Sequence, residues 1–424
     1  MKVLIQNARV VDPVNNRDGE SDVLIDEGKI RKIGKADRDS VDEIIQGKGL
    51  TLIPGLIDLH THLREPGFEA KETIQSGARA AIRGGYVASV SMPNTDPPCD
   101  HQSVIDNIVR RAREVPYTIF PSGTITKGRL GKELSEMADL LHAGIVAVTD
   151  DGDWVADSLV MRRAMEYASM FDLIVMSHCE DRRLATHGVM NEGYHSTALG
   201  LKGIPAASED VAVARDIELA RLTGARLHVC HVSTARAVAL VAAAKAEGLS
   251  VTAEVTPHHL VLTDAAVEGY NTNLKMNPPL RTDKDVLAVR AGLKSGIIDC
   301  VATDHAPHTP EEKMREFDVA PFGVIGLETA LPVILTEFFH GEQWPLEKII
   351  RVMSCRPAEI LKLDASFGQL KEGETANLTL VDLNEEWNVT LADLQSKSRN
   401  SCFLKRKLKG RIKATVCSGK LWKY

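Results

Sequence analysis

The sequence predicts a closed (β/α)8 barrel of the TIM type, with a small β-sandwich domain built from the two ends of the chain. Three observations predict it. Short apolar runs alternate with helical patterns after residue 52. Some of these runs, such as Leu173–Met176, are continuously aliphatic, which is typical of parallel strands buried on both faces. Metal-binding side chains stand where several runs end, the position of active sites in such barrels.

The eight predicted barrel strands follow one another along the chain. They are Leu52–His62, Tyr86–Pro93, Tyr117–Ser122, Gly144–Asp151, Asp172–His178, Arg226–His231, Ser250–Thr256 and Asp299–Asp304. Helical patterns separate the strands, at Thr73–Arg83, Ser103–Arg113, Lys132–His142, Asp157–Ala168, Ser208–Thr223, Thr234–Glu247 and Lys284–Lys294. This alternation predicts parallel pairing, and eight strands favour a closed barrel over an open sheet.

The two ends of the chain follow a different pattern. Residues 2–6, 22–26 and 29–33 alternate between apolar and polar side chains, with Gly and Asp turns between them. The same pattern returns at residues 373–382 and 413–417. We therefore expect residues 1–51 and 365–424 to form one discontinuous β domain, and residues 52–364 to form the catalytic barrel.

Six side chains are candidate metal ligands because each lies at the carboxyl end of a predicted strand: His60, His62, Asp151, His178, His231 and Asp304. Alternate strand residues share a face, so one metal ion could bind both His60 and His62. Imidazole with carboxylate suits Zn²⁺, and the lack of a cysteine cluster argues for a catalytic rather than a closed structural site. Asp304, beside the metal-activated water, is the predicted general base and acid.

Several other residues near these ligands are alternative candidates for metal ligands. Strand alternation lets only one of Asp150 and Asp151 face the barrel interior, and the sequence pattern does not decide between them. The segment between Lys132 and Lys202 contains no lysine, so a carboxylated lysine on strand four is excluded. His228 is expected to face the helix layer, and His258 and His259 are expected to be structural.

Composition sets limits on the function. The 424 residues include 51 Lys and Arg against 58 Asp and Glu, a formal charge of -7, so nucleic-acid binding is not expected. No run of about 18 apolar residues and no secretory signal pattern occurs, which predicts a soluble, cytoplasmic protein without a membrane role. The seven cysteines form no C-x-x-C pair and are expected to be reduced thiols.

Ordered motifs resemble a known family. Residues 55–62 (GLIDLHTH) and 303–308 (TDHAPH) are similar to the amidohydrolase superfamily. Within it, the chain resembles the dihydroorotase family in its long-chain bacterial form. The motifs are 60–67 (HTHLREPG), 92–95 (MPNT), 149–152 (TDDG), 177–181 (SHCED), 230–233 (CHVS), 257–260 (PHHL) and 275–280 (KMNPPL). They span nearly the whole chain.

The resemblance implies a set of site residues. Asp151, rather than Asp150, would bridge two metal positions, of which one would use His60, His62 and Asp304 and the other His178 and His231. The substrate contacts would be His62, Arg64, Asn94, Asn277, His308, Phe322 and Gly323. Arg64 offers a planar fork suited to a carboxylate, and Gly323 permits close approach of the backbone.

The resemblance also implies an activity, the reversible, Zn²⁺-dependent hydrolysis of (S)-dihydroorotate to N-carbamoyl-L-aspartate in pyrimidine biosynthesis, with one or two Zn²⁺ ions per subunit. A homodimer is expected, and aspartate transcarbamoylase is a possible partner. Two alternatives compete with this prediction: another cyclic amidase, such as a hydantoinase, dihydropyrimidinase or allantoinase, and a catalytically silent scaffold. The first alternative would use a bridging lysine, which this sequence lacks. The second would have lost metal ligands, whereas all six candidate ligands are present here. The charged segment 309–321 is a candidate mobile loop over the substrate.

Overall fold

Two eight-stranded sheets organise the part of the chain that this computed structural model describes, residues 2–36 and 41–424. In chain order the strands are β1 (Val3–Asp12), β2 (Arg17–Asp26), β3 (Lys29–Ile33), β4 (Glu43–Gln46), β5 (Thr51–Pro54), β6 (Leu56–Thr61), β7 (Tyr86–Ser91), β8 (Thr118–Gly123), β9 (Ala147–Val148), β10 (Ile174–Ser177), β11 (Met190–Asn191), β12 (Gly203–Ile204), β13 (Arg226–Val229), β14 (Val251–Val255), β15 (Cys300–Val301), β16 (Leu378–Asn388), β17 (Lys407–Cys417) and β18 (Lys420–Lys423).

Helices cover the connections between barrel strands. They are α1 (Ile74–Arg83), α2 (Gln102–Ala112), α3 (Met137–Ala143), α4 (Ser158–Ser169), α5 (Tyr194–Leu199), α6 (Ala207–Thr223), α7 (Ala235–Ala246), α8 (Pro257–Val261), α9 (Asp283–Ser295), α10 (Pro310–Lys313), α11 (Ala330–Ile334), α12 (Leu346–Ile350) and α13 (Arg356–Leu361). Thr73, Thr234 and Thr282 start α1, α7 and α9 because each side chain accepts a backbone N–H of the first turn. None of the helices in the described ranges is both long and apolar enough to cross a membrane.

The barrel sheet runs in the order β15-β14-β13-β10-β9-β8-β7-β6, and its strands pair in parallel. Its two edges meet just beyond the last strand, where Thr61 bridges His305 and the His62 amide donates to the His305 carbonyl at 2.8 Å. The barrel is therefore nearly closed, and the carboxyl ends of its strands converge on one mouth. The predicted barrel is confirmed.

The first predicted strand is wrong in one respect, because Leu52–His62 is divided at Gly55. Residues before it, in β5, pair with β1 and β16, whereas β6 after it pairs with β7. A Cβ atom at Gly55 would lie 2.3 Å from Cγ1 of Val87, so only glycine fits against the neighbouring strand. The chain thus passes from the small domain into the barrel within a single apolar run.

The two ends of the chain form the second sheet, in the order β18-β17-β16-β5-β1-β2-β3, with β4 beside β1. An antiparallel bridge from Lys29 in β3 to Thr375, just ahead of β16, brings the far edge back towards the C-terminal strands. The sheet encloses its own apolar core, which includes Val10, Ile25 and Leu380. A largely antiparallel sheet built from both ends of the chain agrees with the predicted architecture, and neither end completes that sheet alone.

Candidate metal centre

Six histidine and aspartate side chains converge at the mouth of the barrel, all of them buried. Asp151 lies between two pairs of imidazoles. Its Oδ1 is 3.2 Å from His60 Nε2, and its Oδ2 is 3.4 Å from His62 Nε2. On the other side, His178 Nδ1 and His231 Nε2 each lie 3.8 Å from Asp151 Oδ1. Asp151 therefore lies where one carboxylate is close to both pairs of imidazoles.

Asp304 joins the first of these pairs. Its Oδ1 lies 3.0 Å from His62 Nε2 and 3.6 Å from His60 Nε2. Burial alone would raise the pKa of the Asp304 carboxyl, but the adjacent His62 and the surrounding imidazoles lower it overall. Asp304 is therefore ionised at neutral pH, as a proton acceptor must be.

Asp150 has a separate role that keeps it out of the cluster. Its Oδ1 accepts the backbone amides of Ile125 at 2.8 Å and Thr126 at 3.0 Å, and its Oδ2 accepts the Thr126 hydroxyl. These bonds turn the Asp150 side chain towards the preceding barrel loop, so Asp151 is the aspartate that faces the mouth.

The cluster fits a divalent cation. Within the described residues, His60 Nε2 and Asp151 Oδ1 are buried without a hydrogen-bond partner, a costly arrangement that a cation between them would relieve. Two groups of ligand atoms, His60/His62/Asp151 and Asp151/His178/His231, each lie within 4.8 Å of one another. Burial and the neighbouring His231 lower the pKa of His178 to about 3, which keeps that imidazole in the neutral form that binds metals.

Neighbouring side chains orient two of the imidazoles. Nδ1 of His62 lies 2.8 Å from Asn94 Oδ1, and Nδ1 of His60 lies 2.8 Å from Glu254 Oε1. Because a carboxylate or amide oxygen can only accept, each ring carries its proton on Nδ1 and turns the Nε2 lone pair towards Asp151. Glu254 had escaped the sequence analysis.

The expectation for His228 is wrong. It faces the barrel interior, fully buried, with Nε2 3.1 Å from Glu254 Oε2 and Nδ1 2.8 Å from Thr252 Oγ1. Simple alternation would put His228 and His231 on opposite faces. The strand ends at Val229, however, and His231 lies beyond it in a left-handed conformation with φ 32°. Both imidazoles can therefore point inwards.

A cavity of about 680 Å³ opens in front of the cluster. The predicted substrate residues line it, namely His62, Arg64, Asn94, Asn277, His308, Phe322 and Gly323. Arg64 stands within two residues of His62, its Nε donates to the Pro307 carbonyl at 3.2 Å, and its Nη2 lies 3.4 Å from His308 Nε2. Burial lowers the pKa of Arg64 to about 10, so the guanidinium stays charged at neutral pH.

Backbone geometry brings Gly323 close to the cavity. Its φ is +130°, and a Cβ atom there would lie 2.8 Å from Ala306 Cβ and 3.2 Å from His308 Cδ2. The Gly323 amide donates to the Lys275 carbonyl at 3.0 Å, which holds this wall in place. His259 supports the segment that carries Asn277, because its Nε2 lies 2.9 Å from the Pro278 carbonyl. His258 is buried nearby and does not line the cavity.

Comparison with known proteins identifies a matching family model and similar full-length proteins. Residues 49–237 match the family model described as Dihydro-orotase-like. A dihydroorotase of Carboxydothermus hydrogenoformans is 51% identical over 419 residues, covering 99% of this chain and 97% of that protein. One of Pelotomaculum thermopropionicum is 50% identical, covering 99% and 98%.

Solved structures agree on the fold. The L-hydantoinase (dihydropyrimidinase) of Arthrobacter aurescens superposes with a TM-score of 0.88 at 24% identity, covering 99% of this chain and 95% of that one. The dihydropyrimidinase of Brevibacillus agri gives 0.85 at 24% identity, with the same coverage. A barrel with a buried His/Asp cluster at its mouth is the architecture of the amidohydrolases. Given its full-length similarity to the curated relatives, the chain belongs to the dihydroorotase family.

Proposed function

We propose that this protein catalyses the reversible hydrolysis of (S)-dihydroorotate to N-carbamoyl-L-aspartate in pyrimidine biosynthesis, with Zn²⁺ as its metal. One observation carries the proposal: a half-buried, charged Arg64 lies within two residues of a metal-ligand candidate and lines the same cavity. Dihydroorotate joins a cyclic amide to a carboxylate, and a guanidinium suits that carboxylate. The uncharged rings of hydantoin and dihydrouracil offer Arg64 no carboxylate to pair with.

His60, His62 and Asp304 would hold one metal position, His178 and His231 the other, and Asp151 would belong to both. Zn²⁺ in such a site lowers the pKa of water and polarises a carbonyl oxygen. One or two ions fit this set of ligands. The donor set is the support for zinc, since imidazole and carboxylate without thiolate are typical of catalytic zinc sites.

Asp304 carries the proton in the proposed reaction. Its carboxylate takes a proton from water, whose oxygen adds to the ring carbonyl carbon. When the ring C–N bond breaks, Asp304 returns that proton to the departing nitrogen, which becomes part of a ureido group. The carbonyl carbon becomes a carboxylic acid, which loses its remaining proton to solvent as a carboxylate. Arg64, Asn94, Asn277 and His308 hold the substrate with its amide over Asp304. The same groups close the ring in the reverse direction.

The proposal also covers the oligomeric state of the protein, its cellular compartment and a partner protein. We expect a homodimer in the cytoplasm, with aspartate transcarbamoylase as a possible partner. Size-exclusion chromatography with light scattering would test the dimer, and co-purification would test the partner.

The decisive experiment measures kcat/KM for dihydroorotate, dihydrouracil and hydantoin with the full-length protein. We expect dihydroorotate to be strongly preferred, and a preference for either neutral ring would refute the proposal. A second arm strips the protein with a chelator and titrates it with Zn²⁺. Activity should return and level off at one or two ions per chain, whereas activity that survives full metal removal would exclude the metal role.

A further inference from the structure

A buried carboxylate lies directly behind the metal centre, on the side away from the cavity. Glu254 of β14 is fully buried, and it does not line the cavity where substrate would bind. Burying a carboxylate costs several kcal/mol unless its oxygens are satisfied. Three donors satisfy it: His60 Nδ1 at 2.8 Å, His228 Nε2 at 3.1 Å and the His231 amide at 3.4 Å.

These three contacts reach both halves of the centre. Glu254 Oε1 accepts from the side chain of His60, which belongs to the first metal position, and from the backbone of His231, which belongs to the second. The His231 backbone has φ 32°, a conformation that a non-glycine residue adopts only where its surroundings hold it. One carboxylate thus fixes the ring of one ligand and the main chain of another.

His228 fixes the carboxylate in turn. Its Nε2–H donates to Glu254 Oε2, while its Nδ1 lies 2.8 Å from Thr252 Oγ1, whose hydroxyl can donate to it. The imidazole is therefore satisfied at both nitrogens in its neutral form. Since both side chains are fully buried and packed between strands, neither can turn away without leaving a polar atom unpaired.

A metal site of its own is the competing interpretation of these residues. The groups His60/Cys230/Glu254 and His228/Glu254/Cys300 are compact enough to hold an ion. Cys230 and Cys300 are both buried in an apolar cluster that includes Ile57 and Met176. Both oxygens of Glu254 are also already engaged. Hydrogen bonding accounts for this group without an ion.

We infer that Glu254, held by His228, is a positioning residue of the metal centre: it sets the Nδ1–H tautomer and the ring orientation of His60 and supports the backbone of His231. The inference rests on the metal site of the proposed function. Carboxylates that accept from the second nitrogen of a histidine ligand typically contribute 10–100-fold to metal affinity or activity.

The test is Glu254→Gln in the full-length protein, with Zn²⁺ affinity measured by chelator competition and the visible spectrum recorded after loading with Co²⁺. The amide keeps the shape of the side chain but can accept at only one oxygen, so either His60 or His228 loses its acceptor. We expect Zn²⁺ affinity to fall about 10–100-fold and the Co²⁺ bands to shift. Unchanged affinity with an unchanged spectrum would overturn the inference.

Glu328→Gln is the matched control, because Glu328 is also a buried glutamate but lies beside Arg83 and Arg411. An equal loss of affinity in this variant would mean that Glu254→Gln acts through general destabilisation. If Glu254→Gln does not fold, His228→Gln provides the test. We expect this variant to lose Zn²⁺ affinity by a smaller but measurable factor. Unchanged Zn²⁺ affinity would refute the inference. Metal affinity is read without substrate, so failure of dihydroorotate turnover in the unaltered protein would be a separate result.

Discussion

Asp304 has two properties that suit a proton carrier. It is held ionised by the imidazoles around it, and its main chain is fixed in a left-handed conformation with φ 48°. In the proposed reaction, substrate binding depends on other residues, so removing the proton acceptor should affect the chemical step and leave binding largely intact. This separation makes Asp304 the first residue to test.

Asp304→Asn should lower kcat by about 10²–10⁴-fold with little change in KM, because the amide cannot accept the proton. Steady-state kinetics with dihydroorotate would measure this. Metal content must be determined for the same preparation, since Asp304 Oδ1 also faces His62 and His60. A near-normal kcat would refute the assignment, and loss of activity in parallel with loss of metal would identify Asp304 as a ligand only.

Arg64 governs binding in the same scheme. Arg64→Met keeps much of the apolar bulk of the side chain and removes the guanidinium. KM for dihydroorotate should therefore rise about 10–100-fold. That increase corresponds to about 1.5–3 kcal/mol, the contribution of hydrogen bonds to a charged group. Metal content should not change. Arg111→Met is the control, because Arg111 is a partly exposed arginine that pairs with Glu65 and does not line the cavity. Loss of metal from Arg64→Met would show that Arg64 supports the centre instead.

At the scale of elements, the segment 309–321 is anchored rather than free. Lys313 is buried, and its ammonium donates to the carbonyls of Thr272 at 2.9 Å, Pro321 at 2.9 Å and Lys275 at 3.3 Å. Three carbonyls match the three donors of an ammonium group. The segment leads directly into Phe322 and Gly323, so this anchor holds one wall of the cavity.

Lys313→Met should free these carbonyls and loosen the wall, at a cost of about 1–3 kcal/mol per unsatisfied buried group. Hydrogen exchange at residues 309–323 should become faster, and KM for dihydroorotate should rise. Arg315→Met is the matched control, since it removes a positive charge from an exposed position in the same segment. Equal exchange rates in the two variants would show that Lys313 does not anchor the segment.

Sequence patterns predict elements well where a local signal exists. The barrel strands and most helices lie within a few residues of their predicted bounds. Both signals used to predict them, the spacing of apolar residues and the threonine caps, depend only on residues close together in the sequence. The predicted helix Lys132–His142 starts only at Met137, since Leu134 instead bridges Thr126. Glu254 was not predicted as a site residue because its hydrogen-bond partner His60 is 194 residues away in the sequence. The available signal was the single charged residue of a predicted parallel barrel strand, since such strands are buried on both faces.

At the scale of the whole molecule, the two ends of the chain share one sheet. Strand β5 connects them, because it pairs with β1 on one side and with β16 on the other. We propose that residues 1–54 and 365–424 form one domain and that the barrel begins at Gly55, three residues after the boundary predicted from the sequence. Because the core of the small domain draws side chains from both ends, such as Val10 and Leu380, neither part can bury its apolar surface without the other.

Native-state hydrogen exchange at increasing denaturant would test this domain organisation. Amides of β1 and β2 should open together with those of β16 and β17, at one common free energy and with one common denaturant dependence. Amides of β7 and β8 provide the internal comparison for the barrel. If the N-terminal strands opened at a lower free energy while β16 and β17 stayed protected, the two ends would not be one cooperative unit. Pairing across β5 would then contribute little to stability, although it sets the topology.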